Sequence, residues 1–329
     1  MAGPRQVFVT GATGFIGSRL ARALAERGDS LRCLARSPAR AGPLEALGAE
    51  IISGEITDTI ALARGLAGAD LALHIAGNYA IGPGNVREME RINVAGTRCL
   101  LEEAARAGTP RVIHVSSTVA LGPSSAASAA DPAEAWRGPY PSAYHRTKAE
   151  AHAAVRQAQA RGQPVIIVCP ANVYGPGDEG PNAGFIRDLL RGRLPALLAE
   201  PGTFSYVHVD DVVSGIMAAA DRGGPGAQYV LGGEVVTLNE FAEQVTALAG
   251  RRAPRLRLPV WMVRATGMAL DVVSVVTRTR FTISRESVDA TAGRNWVHDH
   301  TASARALGWT PRPLSEGLPE TVRWFLDYG

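Results

Sequence analysis

Tyr144 and Lys148 stand four residues apart in the stretch "YHRTK", and among the 34 lysines and arginines of the chain Lys148 is the sole lysine. In a helix this i, i+4 spacing puts both side chains on one face. A phenol titrates near 10, too high for a base at neutral pH, and an adjacent ammonium lowers that value by favouring the phenolate. Lysine suits the place because its ammonium is a compact point charge that can also donate to ribose hydroxyls, whereas arginine's planar fork has another shape and reach. In a chain that uses arginine at every other basic position, the retained lysine points to chemistry rather than to surface charge. A hydroxyl able to hold a substrate oxygen is expected beside such a pair. "HVSSTVALG" supplies Ser116, Ser117 and Thr118 just past an apolar run that reads as a buried strand, the edge at which ligands bind in open α/β sheets.

These groups need a platform, and the start of the chain describes one. "VFVTGATGFIGSRLARAL" sets Gly11, Gly14 and Gly17 directly after an apolar strand and at the opening of a helix. The first glycine permits a tight turn, the second lets backbone approach a pyrophosphate, and the third lets helix and strand pack closely, with the phosphate charge at the helix N-terminus. A dinucleotide is therefore expected here. At the end of the second strand, an acid would accept hydrogen bonds from the ribose of NAD, but Ala35 stands there, followed by Arg36 with Arg40 near by. A guanidinium matches a 2′-phosphate, which favours NADP(H) over NAD(H).

Apolar runs at 6–10, 31–35, 50–52, 71–76, 111–117 and 165–170 alternate with helical patterns at 15–27, 88–107 and 144–161. Continuous apolar strands separated by helices predict an α/β fold: a doubly wound parallel sheet of the Rossmann kind, with a smaller, mostly helical C-terminal substrate lobe. The expected division is residues 1–172 plus about 205–234 for the dinucleotide-binding domain, and about 173–204 plus 235–329 for the substrate lobe. A helix is expected at 184–193, a strand running into a helix at 206–220, and a further strand at 227–233. The Ala/Ser/Pro-rich stretch 121–144 reads as a wall or lid of the substrate site. Residues 260–281 form an apolar run interrupted by Arg264 and Asp271, too short to cross a bilayer; they read as a partly buried amphipathic helix, with contact to a membrane surface as the alternative.

Composition narrows the class further. Hydrophobic residues at 46%, charged residues at 20% and a net charge of +3 describe an ordinary globular chain. That charge reads as dispersed, which gives no nucleic-acid or membrane footprint. Cys33, Cys99 and Cys169 are an odd set with wide spacings among apolar residues, as befits free thiols in a reducing compartment. No metal site is expected. The glycine motif begins within a few residues of Met1, leaving no room for the regions of a signal peptide, so a cytoplasmic location is expected.

Taken together, "TGATGFIG", "HIAG" (74–77), "NVAGT" (93–97), "HVSS", "YHRTK" and "YVHVDDV" (206–212) resemble the extended short-chain dehydrogenases/reductases, the NAD-dependent epimerase/dehydratase family, and the resemblance runs over nearly the whole chain. It implies that Ser117 orients the substrate, that Tyr144 is the general acid/base, and that Lys148 binds the nicotinamide ribose and lowers the pKa of Tyr144. It further places Gly11, Thr13, Gly14, Phe15, Ile16 and Gly17 in the pyrophosphate loop and Arg36 at the adenosine ribose. Glu55 and Ile56 fall around adenine, and Ala76, Gly77, Asn93 and Pro170 along the rest of the dinucleotide. Tyr79, Thr118, Asn172, Tyr174 and Phe204 are the candidates for substrate contact, and Tyr140 and Phe185 stand in the same region.

Departures from the family select among reactions. Sugar dehydratases of this family carry an Asp-Glu pair where this chain has Thr118 and Val119, so dehydration is disfavoured. Nucleotide-sugar epimerases commonly place an arginine before "HVDD", where this chain has Phe204 and Ser205. "VCPANVYGPGD" resembles dihydroflavonol 4-reductase-like proteins and the hopanoid-associated sugar epimerase group. The expected activity is reduction of a ketone or aldehyde, or oxidation of the alcohol, on a small molecule. A sugar 4-epimerase with a tightly held cofactor is the alternative, and a non-catalytic redox sensor a second. Helices 88–107 and 144–161 pair into a four-helix bundle in many relatives, so a homodimer is expected by resemblance.

Overall fold

The apolar runs become β1 (Gln6–Thr10), β2 (Ser30–Ala35), β3 (Glu50–Ser53), β4 (Leu71–His74), β5 (Val112–Val115) and β6 (Val165–Pro170) in the computed structural model. The structure describes residues 4–79, 86–124, 136–277 and 281–329. Beyond β6 come β7 (Asn172–Tyr174), β8 (Ala196–Leu198), β9 (Thr203–His208), β10 (Gln228–Leu231), β11 (Glu234–Thr237), β12 (Leu256–Leu258) and β13 (Asn295–Trp296). Seven of these form one parallel sheet in the order β10-β6-β5-β4-β1-β2-β3. The strand order turns back between β4 and β1, and the crevice at that point is where such sheets take their ligands.

β4, β5 and β6 are buried along their whole length, as strands covered on both faces are, with His74 and His114 the polar side chains among their apolar residues. Leu20, Ala21 and Leu24 of the helix Phe15–Glu26, with Val212 and Ile216 of Val209–Arg222, cover one face. Leu62 and Leu66 of Thr59–Leu66, Leu100 and Leu101 of Gly96–Arg106, and Val155 and Ala158 of Ala143–Ala160 cover the other. The Ala-rich helix Ala143–Ala160 starts at Ser142, whose hydroxyl accepts the His145 N–H at 3.4 Å. Such a cap is worth about 1 kcal/mol and fixes where the helix begins, hence where Tyr144 and Lys148 point.

The second lobe has its own core. β7, β9, β11 and β13 form a separate sheet, and β8 pairs with β12. Tyr206 stacks on Phe241 at 4.1 Å, both fully buried, under the helices Pro181–Leu190, Leu238–Leu248 and Leu314–Tyr328. The "HVDD" stretch joins the C-terminal segment to the sheet domain: Asp211 takes both the backbone N–H (2.9 Å) and the guanidinium (2.9 Å) of Arg312, while its carbonyl accepts Trp309 Nε1–H at 2.8 Å.

Several elements differ from expectation. The pattern at 88–107 is broken by a π-helical stretch, Glu90–Ala95, between Val86–Met89 and Gly96–Arg106, and such bulges gather at functional sites. The helix expected at 184–193 begins at Pro181, whose fixed φ suits a first helical position. Of the 121–144 stretch, residues 125–135 lie outside the described residues, as do 278–280 of the 260–281 run. The helix Val260–Thr277 is not partly buried by its apolar face: Trp261, Met268, Val272 and Val276 point outward. Gly267 is what it turns inward, because the helix crosses the following segment so closely that a Cβ there would lie 2.7 Å from the Ser284 carbonyl carbon. Cys33 and Cys169 are buried free thiols, each pushed up to about 12 by burial, and Cys99 is a half-buried one.

Candidate active site

A cleft of about 1210 Å³ runs between the carboxyl edge of the sheet and the second lobe, with the glycine loop at one end and Phe204 and Trp296 at the other. Ser117, Tyr144 and Lys148 all line it. Ser117 follows β5 and opens the short turn Thr118–Leu121, where its Oγ accepts the Val119 N–H at 3.4 Å. Tyr144 stands near Ser117 in the same cleft. Lys148 Nζ donates to the Val115 carbonyl at the end of β5, 3.3 Å away. The strand end and one helical face thus deliver the three groups that the spacing predicts.

Their electrostatics differ from the sequence expectation. Burial pushes Tyr144 up to about 12, offset only in part by Ser117. Burial also pulls Lys148 down from 10.5 to about 8. The ammonium is aimed at a backbone carbonyl and desolvation sets the phenol's value, so the phenol is held as an acid rather than as an easily ionised base.

A spine of buried polar groups lies beneath. Thr10 Oγ1 and His74 Nδ1 are 2.8 Å apart, His74 Nε2 and Thr97 Oγ1 3.0 Å, and Ser116 Oγ and His152 Nδ1 2.9 Å. Burial takes His74 down to about 3, His152 to about 4 and His114 well below its usual value. All three are neutral at pH 7, so Lys148 is the charge at the base of the site. The Asn93 side chain accepts the Asn78 N–H at 2.7 Å and donates to the Asn78 carbonyl at 2.9 Å and to Thr147 at 3.0 Å. It is buried and is not among the residues that line the cleft; it holds the loop after β4, whose Asn78 does line it, and the π-helical stretch carries it there.

The glycine loop fits a pyrophosphate. Gly11 has φ of 75°, and a Cβ on it would lie 2.6 Å from the Ala76 nitrogen; one on Gly17 would lie 2.0 Å from the Gly11 oxygen. Helix Phe15–Glu26 has no side-chain cap, so the N–H groups of its first residues, Phe15 and Ile16, are left at the cleft beside Thr13 and Gly14, whose own N–H donates to the Gly11 carbonyl at 3.0 Å. Ala76, Gly77 and Pro170 line the middle. Arg36, Glu55 and Ile56 line the far end with Arg40 and Arg91. Arg36 stands 3.6 Å from Glu88, and Arg91 pairs with Glu88 at 2.8 Å and with Glu55. Sequence reasoning missed Arg91, whose face of the helix the π-helical stretch sets.

At the substrate end, Tyr79, Thr118, Asn172 and Phe204 line the cleft as expected. Tyr174 does not. It is 1% exposed, its ring packed on His208 (5.3 Å) and Phe241 (6.5 Å) in the lobe core. Tyr140 bonds the Trp136 carbonyl at 2.9 Å, and Phe185 packs against the lobe core. Residues not foreseen are His145, Asp178, Asn182 and Trp296. Burial raises Asp178 to about 6 although its carboxylate accepts the Gly180 N–H at 2.7 Å. The signal for it was its place in the Gly/Pro-rich run "YGPGDEGP"; Trp296 carried none. Three metal-ligand types meet among the described residues at His208, Asp210 and Glu320, where His208 Nδ1 already accepts the Asp210 N–H at 3.3 Å as a helix cap.

Comparison with known proteins was made against this geometry. Residues 7–232 match the model of the NAD dependent epimerase/dehydratase family. The chain is 33% identical to the sterol demethylase protein B of Methylococcus capsulatus, covering 98% of each chain. It is 28% identical to a putative dihydroflavonol 4-reductase of Synechocystis, covering 98% of this chain and 95% of that one. The solved structure of MoeE5 in complex with UDP-glucose and NAD superposes with a TM-score of 0.74 at 27% identity, over 98% of this chain and 99% of that one.

Proposed function

The chain belongs to the NAD dependent epimerase/dehydratase family, the extended short-chain dehydrogenases/reductases, and is a nicotinamide-dinucleotide-dependent enzyme; within that family we propose that it is a reductase, taking NADPH and an apolar ketone or aldehyde. The observation that carries the reading is that Ser117, Tyr144 and Lys148 line one cleft, with the phenol buried and so favoured in its protonated form. When bound, the reduced dinucleotide supplies a hydride to a carbonyl carbon. The oxygen then becomes an alkoxide, a base far stronger than a phenolate, since its conjugate acid lies near water's value of about 15.7. Tyr144 gives it a proton downhill, and Ser117 holds the oxygen within reach. Lys148, cationic below about pH 8, stabilises the phenolate that remains.

The charge layout supports a neutral, apolar substrate. Apart from Lys148, the cations along the cleft are Arg19, Arg22, Arg36, Arg40 and Arg91, all on elements beside the glycine loop or β2. The substrate end offers Tyr79, Asn172, Asn182, Phe204 and Trp296, with His145 kept neutral by a pKa near 4, and its charged groups are the carboxylates Asp178 and Glu179, which an anionic substrate would meet unfavourably. No arginine is among the residues that line that end; the nearest, Arg187 beside Asp178 and Arg294 beside His145, are turned to the Phe325 ring and the Asp289 carbonyl, which weighs against the nucleotide sugar held by MoeE5. The names of the sterol demethylase protein B and the dihydroflavonol reductase point the same way. Arg36, exposed at the adenosine end, supports NADPH over NADH.

Turnover is tested by following the absorbance of reduced nicotinamide with NADPH or NADH against a panel of sterol-like and aromatic ketones. Oxidation of NADPH with at least one of them is expected. Protein that retains its nucleotide through gel filtration and turns over no ketone, yet interconverts a UDP-sugar, is an epimerase instead.

A further inference from the structure

The helix Val260–Thr277 carries six of the protein's exposed large apolar side chains: Trp261, Met262, Met268, Val272, Val273 and Val276, with Trp261 at 70% and Val276 at 79% exposure. Trp261, Met268, Val272 and Val276 recur at i, i+7, i+11 and i+15, so they share one face. At 1.5 Å per residue that face is about 22 Å long. The buried side of the helix is Gly267, set against the Ser284 backbone. Asp271 is turned to the same side, where its carboxylate accepts the Arg285 N–H at 3.0 Å. An apolar stripe of this length facing outward, with the small and acidic positions facing inward, marks a docking surface.

The charges around it say what docks. Residues 251–280 hold seven arginines and the single acid Asp271, in a chain whose whole net charge is +3. The positive excess that reads as dispersed is concentrated here. Arg252 and Arg255 are exposed just before the helix, with no acid partner among the described residues. Arg264 is exposed on it, paired with Asp289 at 2.8 Å. A second copy of the chain would bring two such arginine sets face to face. An anionic bilayer complements them, and Trp261 beside the arginines is the arrangement that settles at a headgroup boundary. No helix among the described residues is long and apolar enough to cross a membrane, so the element would lie on the surface rather than span it.

We propose that the helix Val260–Thr277 docks this enzyme on an anionic lipid bilayer, its Trp261 to Val276 face in the acyl boundary and its flanking arginines on the lipid phosphates. The next helix, Arg285–Thr291, ends at Ala290 and Thr291, which line the cleft. Docking therefore sets the substrate end of the cleft one helix away from the lipid. The proposal goes beyond the reductase reading and does not depend on it, because the measurement needs neither substrate nor turnover.

The full chain is floated with vesicles of phosphatidylcholine alone and of phosphatidylcholine with phosphatidylglycerol. Binding is expected on the second only, with release in about 1 M salt, where the Debye length falls to about 3 Å. Val272→Glu/Val276→Glu should lower the bound fraction at least about tenfold while melting as the parent does. Should the glutamates unsettle the helix, the parent decides: lipids with brominated acyl chains must quench part of its fluorescence, and Trp261→Phe must remove that part. Absence of binding to anionic vesicles, or undiminished binding by a folded glutamate variant, overturns the proposal. So does a dimer in light scattering that the glutamates dissociate, since the stripe would then belong to a second copy.

Discussion

Replacing Lys148 with methionine should abolish turnover and make the protein more stable. The side chain is 8% exposed, and its ammonium has one hydrogen-bond acceptor, the Val115 carbonyl at 3.3 Å. Burial lowers its pKa from 10.5 to about 8. At 1.36 kcal/mol per unit, holding that proton in the folded state costs about 3 kcal/mol at pH 7, where the unfolded chain is protonated freely. Methionine removes the cost and fills the same space, at the loss of one hydrogen bond worth about 1 kcal/mol. The net gain is about 2 kcal/mol, a rise of a few degrees in Tm. The sign can be checked with pH. The unfolded state binds more protons than the folded state between about 8 and 10.5, so the parent gains stability as pH rises through that window, and the variant's advantage shrinks and reverses near pH 10.5 by about the lost hydrogen bond. Thermal melts of both proteins at pH 7, 9 and about 10.5 measure this. A variant less stable than the parent at pH 7, or an advantage that does not change with pH, would refute the account of a cation held against desolvation. Lys148→Arg should fail in both respects, since a guanidinium cannot shed its charge and is larger.

The remaining predictions concern the groups around that lysine. In the reductive direction kcat/KM should fall as pH rises through about 8, where the Lys148 ammonium is lost, while Tyr144 stays protonated to about 12; an activity that instead rises through pH 8 in parallel with phenolate formation contradicts the assignment. Tyr144→Phe should lower kcat by about 10² to 10⁴ with NADPH affinity, read by fluorescence titration, unchanged. Gly17→Ala forces a Cβ to within 2.0 Å of the Gly11 oxygen, so it should cost about 1–3 kcal/mol and weaken dinucleotide binding; Gly42→Ala, where nothing lies within 4 Å, is the neutral control in the same melts. Arg36→Ala should raise the KM for NADPH about tenfold and leave that for NADH alone; an equal change in both would remove Arg36 from the 2′-phosphate.

What could be read from the sequence is what local pattern decides. The glycine spacing of "TGATGFIG" fixes a turn and a helix start, and the i, i+4 pair in "YHRTK" fixes a shared face; both hold whatever surrounds them. What failed depends on neighbours distant in the chain. Tyr174 looks like a pocket residue because it follows a loop rich in glycine and proline, but its direction is set by β9 and Phe241, 30 and more residues away. Asn93 belongs to a recognisable motif, yet whether it touches a ligand or holds Asn78 depends on a π-helical stretch that periodicity cannot announce. The phenol's acidity illustrates the same limit in energetic form: the pair Tyr144 and Lys148 suggests a lowered pKa, and burial, a property of the whole fold, reverses the sign. The helix Val260–Thr277 is the clearest instance. Its residues repeat with a period that defines a stripe, but a stripe names a face without saying which way it looks. Gly267 against Ser284 decides that, by giving the glycine side the closer approach and leaving tryptophan, methionine and valine outside. Where a stripe faces outward beside unpaired arginines, the partner that covers it has to be sought outside the chain.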